Sequence, residues 1–318
     1  MRREGWLFMI GLEGPRLSPE EEETIRELGL RHFILFRRNL EDRQQTARLV
    51  SSLRRYGGFV AVDQEGGPVA RLRPPLFPDL PAPLELAGDP DPEGAVARTA
   101  ALCARHLREY GFNLNLSPVL DLGDEEAPSF LRGRTFGRDP EKVARLGRTY
   151  VETFLSEGLL CCAKHFPGLG EARLDPHEDL PVLERLDPAA LEPFRAAVDA
   201  GVPCVMTTHL LIRELDQRPA TFSSSVVTLL RRELSFPGFV LTDDLFMGAV
   251  LKKMDLAEAA LHAFLAGHDL LLLCQDFRRS AETIRELLPE LRSPALKGRV
   301  EESLERQEKL FKYCLPAG

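Results

Sequence analysis

The segment Asp139–His165 reads DPEKVARLGRTYVETFLSEGLLCCAKH, and its pattern predicts one helix followed by one strand. Asp139-Pro140-Glu141 predicts a helix start, because an aspartate caps the first turn and proline is tolerated at the first helical position. Gly158 follows the helical pattern, where a left-handed C-terminal cap is needed. Leu159–Lys164 is a short, continuous apolar run, which is typical of a strand buried on both faces. The run ends in a charged residue, Lys164.

The same kind of apolar run recurs along the chain, separated by polar loops and helical patterns. This alternation predicts parallel βα units, and eight such strands are the number in a (β/α)8 TIM barrel. The predicted strands are Trp6–Gly11, His32–Phe36, Phe59–Asp63, Asn113–Val119, Leu159–Lys164, Val202–Thr207, Gly238–Thr242 and Asp269–Cys274.

We therefore predict an α/β chain in which residues 1–318 form a single catalytic TIM-barrel domain with C-terminal helices. A doubly wound open sheet is the alternative architecture. It would need a phosphate-binding glycine turn after an early strand, and Gly66-Gly67 alone does not fit that pattern.

Composition narrows the classes of partner. Hydrophobic residues make up 44% of the 318 residues and charged residues 28%, which excludes a mainly disordered or fibrous chain. The net charge of −8 argues against a nucleic-acid or anionic-membrane surface. Trp6–Leu12 is too short for a membrane span and lacks a signal-peptide layout, so we expect a cytoplasmic protein. Closed barrels of this length are often monomers, which is the state we expect.

The six cysteines show no metal-ligand spacing, and several lie in predicted strands. Buried free thiols in a reducing compartment explain them best. They are Cys103, Cys161, Cys162, Cys204, Cys274 and Cys314.

Almost every predicted strand ends in an ionisable or amide residue. Because all eight strand C-termini of a parallel barrel open on one face, these side chains are expected to converge on one bowl. For any single residue, a solvated loop position is an equally good explanation. In chain order they are Glu13, Arg38 with Asn39, Asp63, Asp121, Lys164 with His165, His209, Asp243 with Asp244, and Gln275.

Asp243 and Asp244 end the seventh predicted strand. Adjacent residues of an extended chain point in opposite directions, so one carboxylate is expected to face the bowl while the other orients the loop. An ionised carboxylate there can act as a nucleophile or stabilise a cation. The alternative is that both acids cap the following helix.

Lys164 and His165 end the fifth strand. Lys164 could donate hydrogen bonds to a substrate, pair with an acid, or form a Schiff base. A Schiff-base aldolase is therefore an alternative, although it does not need the other acid and base groups.

Asp175 and His177 lie two residues apart on a loop that contains proline and glycine. A carboxylate that holds one ring nitrogen of an imidazole fixes which nitrogen carries the labile proton, as a general acid/base requires. A solvated loop pair is the commonest explanation of Asp-x-His alone.

A metal-dependent hydrolase would use a different subset of the strand-end and loop side chains, with His165, His177, His209, Asp63 and Asp243 as possible ligands. The chain has neither a His-x-His nor a His-Glu-x-x-His signature, so we expect no metal and no other cofactor.

Six motifs together resemble glycoside hydrolase family 3, and within it the single-domain bacterial β-N-acetylglucosaminidases of the peptidoglycan-recycling type. In chain order they are Ala61–Gly67 (AVDQEGG), Arg134–Pro140 (RTFGRDP), Lys164–Gly168 (KHFPG), Asp175-Pro176-His177, Pro219–Ser223 (PATFS) and Thr242–Met247 (TDDLFM).

The resemblance implies a TIM barrel and a retaining hydrolysis of terminal β-linked N-acetylglucosamine, with cell-wall muropeptide fragments as the expected substrates. It implies that Asp243 is the nucleophile and that His177, oriented by Asp175, is the acid/base. The sugar-binding positions that it implies are Asp63, Arg71, Arg134, Lys164 and His165, with His209 and Met247 lining the same pocket.

Three positions depart from the family pattern: Pro68, Leu169 and Pro176. None of them is the nucleophile, so they bear on the leaving group and the loop rather than on the reaction class. A histidine acid/base in place of a carboxylic acid removes a negative charge from the acceptor site. An anionic acceptor such as phosphate is then less repelled, so a phosphorylase is kept open as an alternative. A family 3 β-glucosidase and, outside enzymes, a sugar-binding barrel are kept open as well.

Overall fold

The computed structural model describes residues 3–170 and 172–314 of the chain. Its central element is a closed barrel of eight parallel strands, each hydrogen-bonded to its neighbours in the order of the sequence. The barrel strands are β1 (Phe8–Gly11), β2 (His32–Leu35), β3 (Val60–Val62), β4 (Leu114–Asn115), β5 (Leu160–Phe166), β6 (Cys204–Thr207), β7 (Phe239–Asp244) and β8 (Leu270–Leu273).

Helices surround the barrel and connect its strands. They are α1 (Pro19–Leu28), α2 (Arg43–Arg54), α3 (Pro83–Ala87), α4 (Pro92–Tyr110), α5 (Pro140–Ser156), α6 (Glu192–Asp199), α7 (Ser224–Thr228), α8 (Gly248–Leu251), α9 (Leu256–Ala266), α10 (Phe277–Leu291) and α11 (Lys297–Cys314). The loops contain two small two-stranded sheets. In one, Gln64–Gly66 pairs with Val69–Ala70, and in the other, Val182–Leu183 pairs with Leu211–Ile212.

The prediction of a (β/α)8 barrel with C-terminal helices is confirmed, and all eight predicted strands are present with shifted ends. The largest difference is at the predicted strand Asn113–Val119, of which only Leu114–Asn115 is regular strand. Pro118 has no N–H for the ladder, and Val119 is linked to Lys164 by an isolated bridge. Trp6 belongs to a 3-10 turn, Glu4–Leu7, rather than to β1.

The capping residues of the predicted helices act as expected. Ser18 and Glu21 form the reciprocal capping box of α1. Asp139 accepts a hydrogen bond from the amide of Glu141 at the start of α5. Gly111 ends α4 with φ 93°, a left-handed conformation that glycine adopts without strain.

The strands are apolar along their whole length because both of their faces are covered. Met9 and Phe59 point into the barrel interior and belong to one buried cluster, whereas Phe8 and Val60 point outward against the helices. Below the barrel, the ring of Phe311 on α11 stacks on Phe59 at 4.4 Å between centroids. The last helix therefore closes the amino-terminal end of the barrel and leaves the opposite end open.

Five of the cysteines are buried free thiols, as predicted, whereas the side chain of Cys314 lies outside the described part of the chain. Among the described residues, no helix combines the length and the apolarity that crossing a membrane requires.

Candidate active site

A cavity of about 500 Å³ opens at the carboxyl ends of the barrel strands. This is the end at which barrel enzymes carry their chemistry. Of the ten site residues predicted from the sequence, eight line this cavity: Asp63, Arg71, Arg134, Lys164, His165, His177, Asp243 and Met247. Among the other strand-end polar residues, Arg38, Asp244 and Gln275 also line it.

Asp243 is the carboxylate at the mouth of β7. Its Oδ1 accepts a hydrogen bond from the amide of Asp244 at 2.8 Å. Burial opposes its ionisation, but the imidazole of His165 and the Asp244 amide outweigh burial and hold the pKa of Asp243 below its ordinary value. Asp243 is therefore an ionised carboxylate on the cavity wall.

Asp244 points away from Asp243, as the alternation along a strand requires. Its Oδ1 accepts hydrogen bonds from the amides of Phe246 at 3.2 Å and Cys274 at 3.0 Å, which tie the end of β7 to the end of β8. Burial raises the pKa of Asp244 to about 6. Both acids line the cavity, but they have different roles: the carboxylate of Asp244 is engaged by backbone amides that hold the loop, whereas that of Asp243 accepts only from the neighbouring amide of Asp244 among the described contacts.

A cluster of buried charges forms the wall opposite β7. Lys164 Nζ lies 2.9 Å from Asp63 Oδ1 and 2.7 Å from Glu65 Oε1. Arg71 Nη2 donates to Asp63 at 3.0 Å, and Arg134 donates to both oxygens of Glu65 at 2.8 and 2.9 Å. Burial alone would weaken the charges of both acids, yet the pKa of Glu65 falls to about 2 because Arg134 and Lys164 favour its ionised form.

Glu65 lies within the AVDQEGG motif but is not among the predicted site residues. Asp63 and Glu65 are two positions apart, the spacing that places two side chains on the same face of an extended chain. That spacing is the signal in the sequence that identifies Glu65 as a second carboxylate of the same wall.

Lys164 is unsuited to the Schiff-base alternative. Burial opposes its charge, but Asp63 and Glu65 outweigh burial and raise the pKa of the ammonium group above its ordinary value. A Schiff-base lysine must present a neutral amine as nucleophile. Lys164 is instead a charged donor held between two carboxylates.

His165 is oriented by Asp121, which lies in the segment that follows β4. Asp121 Oδ2 lies 2.7 Å from His165 Nδ1, and a carboxylate can only accept there, so Nδ1 carries the hydrogen. The amide of Leu169 donates to the other oxygen of Asp121 at 2.6 Å. Leu169, one of the departures from the family pattern, is buried in a small apolar cluster with Leu131 and Leu210.

Asp175 and His177 form the predicted pair on the loop after β5. His177 Nδ1 lies 2.8 Å from Asp175 Oδ1, and the amide of His177 donates to the same oxygen at 2.9 Å. Nδ1 therefore carries the hydrogen, and Nε2 is the nitrogen left for exchange with a ligand. The His177 side chain is 68% exposed, and it lines the cavity that contains Asp243.

His209 is placed behind the cavity rather than on its wall. It is fully buried, and both ring nitrogens are occupied: Nδ1 lies 2.6 Å from Thr221 Oγ1 and Nε2 2.9 Å from the carbonyl oxygen of Asp244. Burial holds the pKa of His209 below its ordinary value. The neutral ring therefore donates from Nε2 to that carbonyl and supports the end of β7 from below.

The candidate site contains acids, bases and cations but no grouped metal ligands. Within residues 3–170 and 172–314, no three His, Cys, Asp or Glu side chains are placed to hold a metal ion together. The side chains that line the cavity instead pair with one another, as in the Lys164–Glu65 contact.

The fold and this site define a barrel enzyme with a carboxylate at the mouth of β7. The model of the glycosyl hydrolase family 3 N-terminal domain matches residues 5–310. A β-hexosaminidase of Alkalilimnicola ehrlichii is 37% identical over 293 residues, which cover 88% of this chain and 84% of that protein.

Two solved structures are also similar. A family 3 β-N-acetylglucosaminidase of Paenibacillus sp. superposes with a TM-score of 0.91 at 31% identity over 100% of this chain, which spans only 63% of that longer protein. A β-N-acetylhexosaminidase of Beutenbergia cavernae superposes with a TM-score of 0.90 at 29% identity over 98% of both chains. The chain belongs to glycosyl hydrolase family 3, and it is a glycoside hydrolase.

Proposed function

We propose that this chain is a retaining exo-β-N-acetylglucosaminidase that removes terminal β-linked N-acetylglucosamine through a glycosyl-aspartate intermediate. The observation that carries the proposal is that Asp243, at the end of β7, and His177, whose ring is held by Asp175 on the loop after β5, line the same cavity. The names of the relatives point to the same substrate class.

In the first step, the Asp243 carboxylate attacks the anomeric carbon and displaces the glycosidic oxygen, and a glycosyl ester forms. Its lowered pKa keeps it ionised at neutral pH. His177 Nε2–H protonates the departing oxygen, so the leaving group departs as a neutral alcohol.

In the second step, the neutral His177 Nε2 takes a proton from water as the water oxygen attacks the anomeric carbon. The ester bond breaks and Asp243 recovers its electron pair, so two inversions give net retention. Asp175 keeps Nδ1 protonated throughout, which leaves Nε2 as the nitrogen that gives and takes the proton.

The buried charges opposite Asp243 are proposed to hold the sugar hydroxyls. Carboxylates and guanidinium groups make paired hydrogen bonds with neighbouring hydroxyls. The residues proposed for this role are Asp63, Arg71, Arg134, Lys164 and His165, with Met247 as an apolar part of the wall.

The finer biological assignments follow the family resemblance. We propose muropeptide fragments of the cell wall as substrates, a cytoplasmic location and a monomer in which residues 1–318 are one catalytic domain. The packing of α11 against the barrel bottom supports one domain, because the last helix shares the barrel core.

The experiment that tests the proposal compares release of nitrophenol from the β-N-acetylglucosaminide and from the β-glucoside, each with and without phosphate. We expect strong preference for the acetamido sugar and no need for phosphate. A phosphate-dependent gain would identify a phosphorylase, and preference for the glucoside would identify a β-glucosidase. No turnover of either would contradict the proposal and favour a sugar-binding barrel.

A further inference from the structure

The loop that carries His177 lies against the turn that follows the Asp243 strand. The amide of Gly248 donates to the carbonyl oxygen of His177 at 3.2 Å, and the amide of Ala249 donates to that of Pro176 at 3.1 Å. Both amides belong to the first turn of α8, which begins shortly after β7. The segment that follows the Asp243 strand therefore holds the backbone of His177.

Gly248 is required at this contact by space. A Cβ added there would lie 2.6 Å from the carbonyl oxygens of both His177 and Glu178. Such a distance is far inside the normal contact of a carbon and an oxygen atom, and the atoms met are backbone atoms that cannot rotate away. Gly248 is not among the glycines with positive φ, so close approach rather than backbone conformation explains the glycine.

The loop segment that carries His177 is tied together by its own backbone hydrogen bonds. The amides of Glu178 and Asp179 both donate to the carbonyl oxygen of Asp175, at 2.9 and 3.1 Å. Asp179 also lies 3.6 Å from Lys252 Nζ and 3.9 Å from Lys253 Nζ, just beyond α8. These ion pairs are further contacts between the same loop and the residues that follow α8.

The hydrogen bonds of the Asp175–His177 pair are internal to the loop. They fix the ring relative to its own backbone, but they do not fix the ring relative to Asp243. We propose that Gly248, with the neighbouring Ala249 amide, is the positioning contact that sets the acid/base loop in register with the nucleophile. This inference rests on the proposed function, because it gives the contact a role only if His177 is the acid/base.

The test compares Gly248→Ala with Gly298→Ala, a matched control on α11 where an added Cβ meets nothing within 4 Å. Each variant is assayed on an N-acetylglucosaminide with a poor leaving group and on one with a highly activated leaving group. We expect Gly248→Ala to lower kcat on the poor leaving group by roughly 10- to 100-fold, since misplacement of a catalytic group by about 1 Å has effects of that size. The loss on the glycosylation step of the activated substrate, measured as the pre-steady-state burst, should be smaller.

Two further readouts separate loop positioning from a general structural defect. Trypsin cleavage after the exposed Arg173 should become faster in Gly248→Ala, while the affinity for N-acetylglucosamine and the melting temperature should match the Gly298→Ala control. Should Gly248→Ala fail to fold, Ala249→Pro deletes the second donor at a helix position where proline is tolerated, and the same results are expected.

Failure of the inference and failure of the proposed function give different results. Wild-type kinetics and wild-type tryptic cleavage of Gly248→Ala, alongside a strongly impaired His177→Ala, would overturn the positioning role alone. An equal loss on both substrates with loss of sugar affinity would also overturn it. A fully active His177→Ala would overturn the proposed acid/base itself.

Discussion

Lys164 Nζ lies 2.7 Å from Glu65 Oε1 in a wall of the cavity where both side chains are almost completely buried. Glu65 also accepts two hydrogen bonds from Arg134. One carboxylate thus neutralises two cations that are proposed to hold the sugar. Removing the charge of one partner in such a buried group leaves the others uncompensated.

Glu65→Gln should therefore weaken both the sugar site and the fold. We expect a KM at least about tenfold higher and a free energy of unfolding lower by about 3 kcal/mol, the lower range for breaking a buried ion pair. Steady-state kinetics and denaturant unfolding measure the two effects. Glu305→Gln on the exposed face of α11 is the matched control, and a Glu65→Gln variant that behaves like it would contradict the role of this carboxylate.

The stabilising effect of Glu65 should depend on pH. Its pKa in the folded protein is about 2, below the ordinary value of 4.5, so its contribution is fully present above about pH 4.5 and is lost as the pH falls toward 2. The difference in unfolding free energy between wild type and Glu65→Gln should shrink over that interval. A difference that does not change with pH would show that Glu65 is not ionised by its neighbours.

Asp244 should show the opposite dependence. Its pKa is raised from 3.8 to about 6 by burial, so the folded protein binds this proton more tightly than the unfolded chain does. The stability that it contributes is complete below about pH 4 and is lost as the pH rises through 6. Asp244→Asn resembles the protonated form. Between pH 4 and 7, its free energy of unfolding should rise relative to that of wild type by at most about 3 kcal/mol.

Chemical unfolding of Asp244→Asn across that pH interval, with Asp79→Asn on the surface as control, measures this effect. An unchanged difference between variant and wild type would mean that the Asp244 carboxyl titrates near its ordinary pKa in the folded protein.

His177→Ala should lose activity according to the leaving group. General acid catalysis contributes about 10²- to 10⁴-fold, and an activated phenol departs without it. We expect a loss in this range with a disaccharide substrate, a much smaller loss in the burst of an activated aryl substrate, and rescue of turnover by azide with a β-glycosyl azide as product. His106→Ala on α4 is the control, and equal losses on all substrates without azide rescue would contradict the acid/base role.

Asp269 offers a test far from the cavity. At the start of β8, its buried carboxylate accepts hydrogen bonds from Arg231 at 2.6 Å, Arg299 at 3.2 Å and Arg306 at 2.9 Å. Asp269→Ala should lower the free energy of unfolding by about 3 to 5 kcal/mol, because it leaves buried cations without an anion. KM should stay within about twofold of wild type, since binding residues lie at the other end of the barrel. Asp79→Ala is the control, and a large change in KM without loss of stability would contradict this division.

The barrel was predictable because its signal is local. Each strand is a short apolar run, and helix caps such as Ser18 and Asp139 mark the boundaries. The convergence of strand-end polar residues was predictable from the same pattern, because parallel strands of one barrel share an open end. The true length of β4 was not predictable in the same way. Pro118 has no N–H, so the extent of the strand depends on which groups of the neighbouring strands lie opposite this position.

The finer relations within the site depend on contacts between distant segments. His209 has the same position in the pattern as Lys164, yet its ring is directed at Thr221 and the Asp244 carbonyl instead of the cavity. The need for glycine at position 248 comes from two carbonyl groups of a loop far away in sequence. A single sequence does not contain these distances.

The most direct test of the proposed mechanism is to trap the intermediate on Asp243. Incubation with a fluorinated N-acetylglucosaminyl fluoride, which forms the glycosyl ester faster than water removes it, is followed by proteolysis and mass spectrometry of the peptides. We predict one sugar attached to the peptide that contains Asp243, with no attachment in Asp243→Asn. A sugar attached elsewhere, or hydrolysis with inversion and no covalent adduct, would contradict the proposal that Asp243 is the nucleophile of a retaining enzyme.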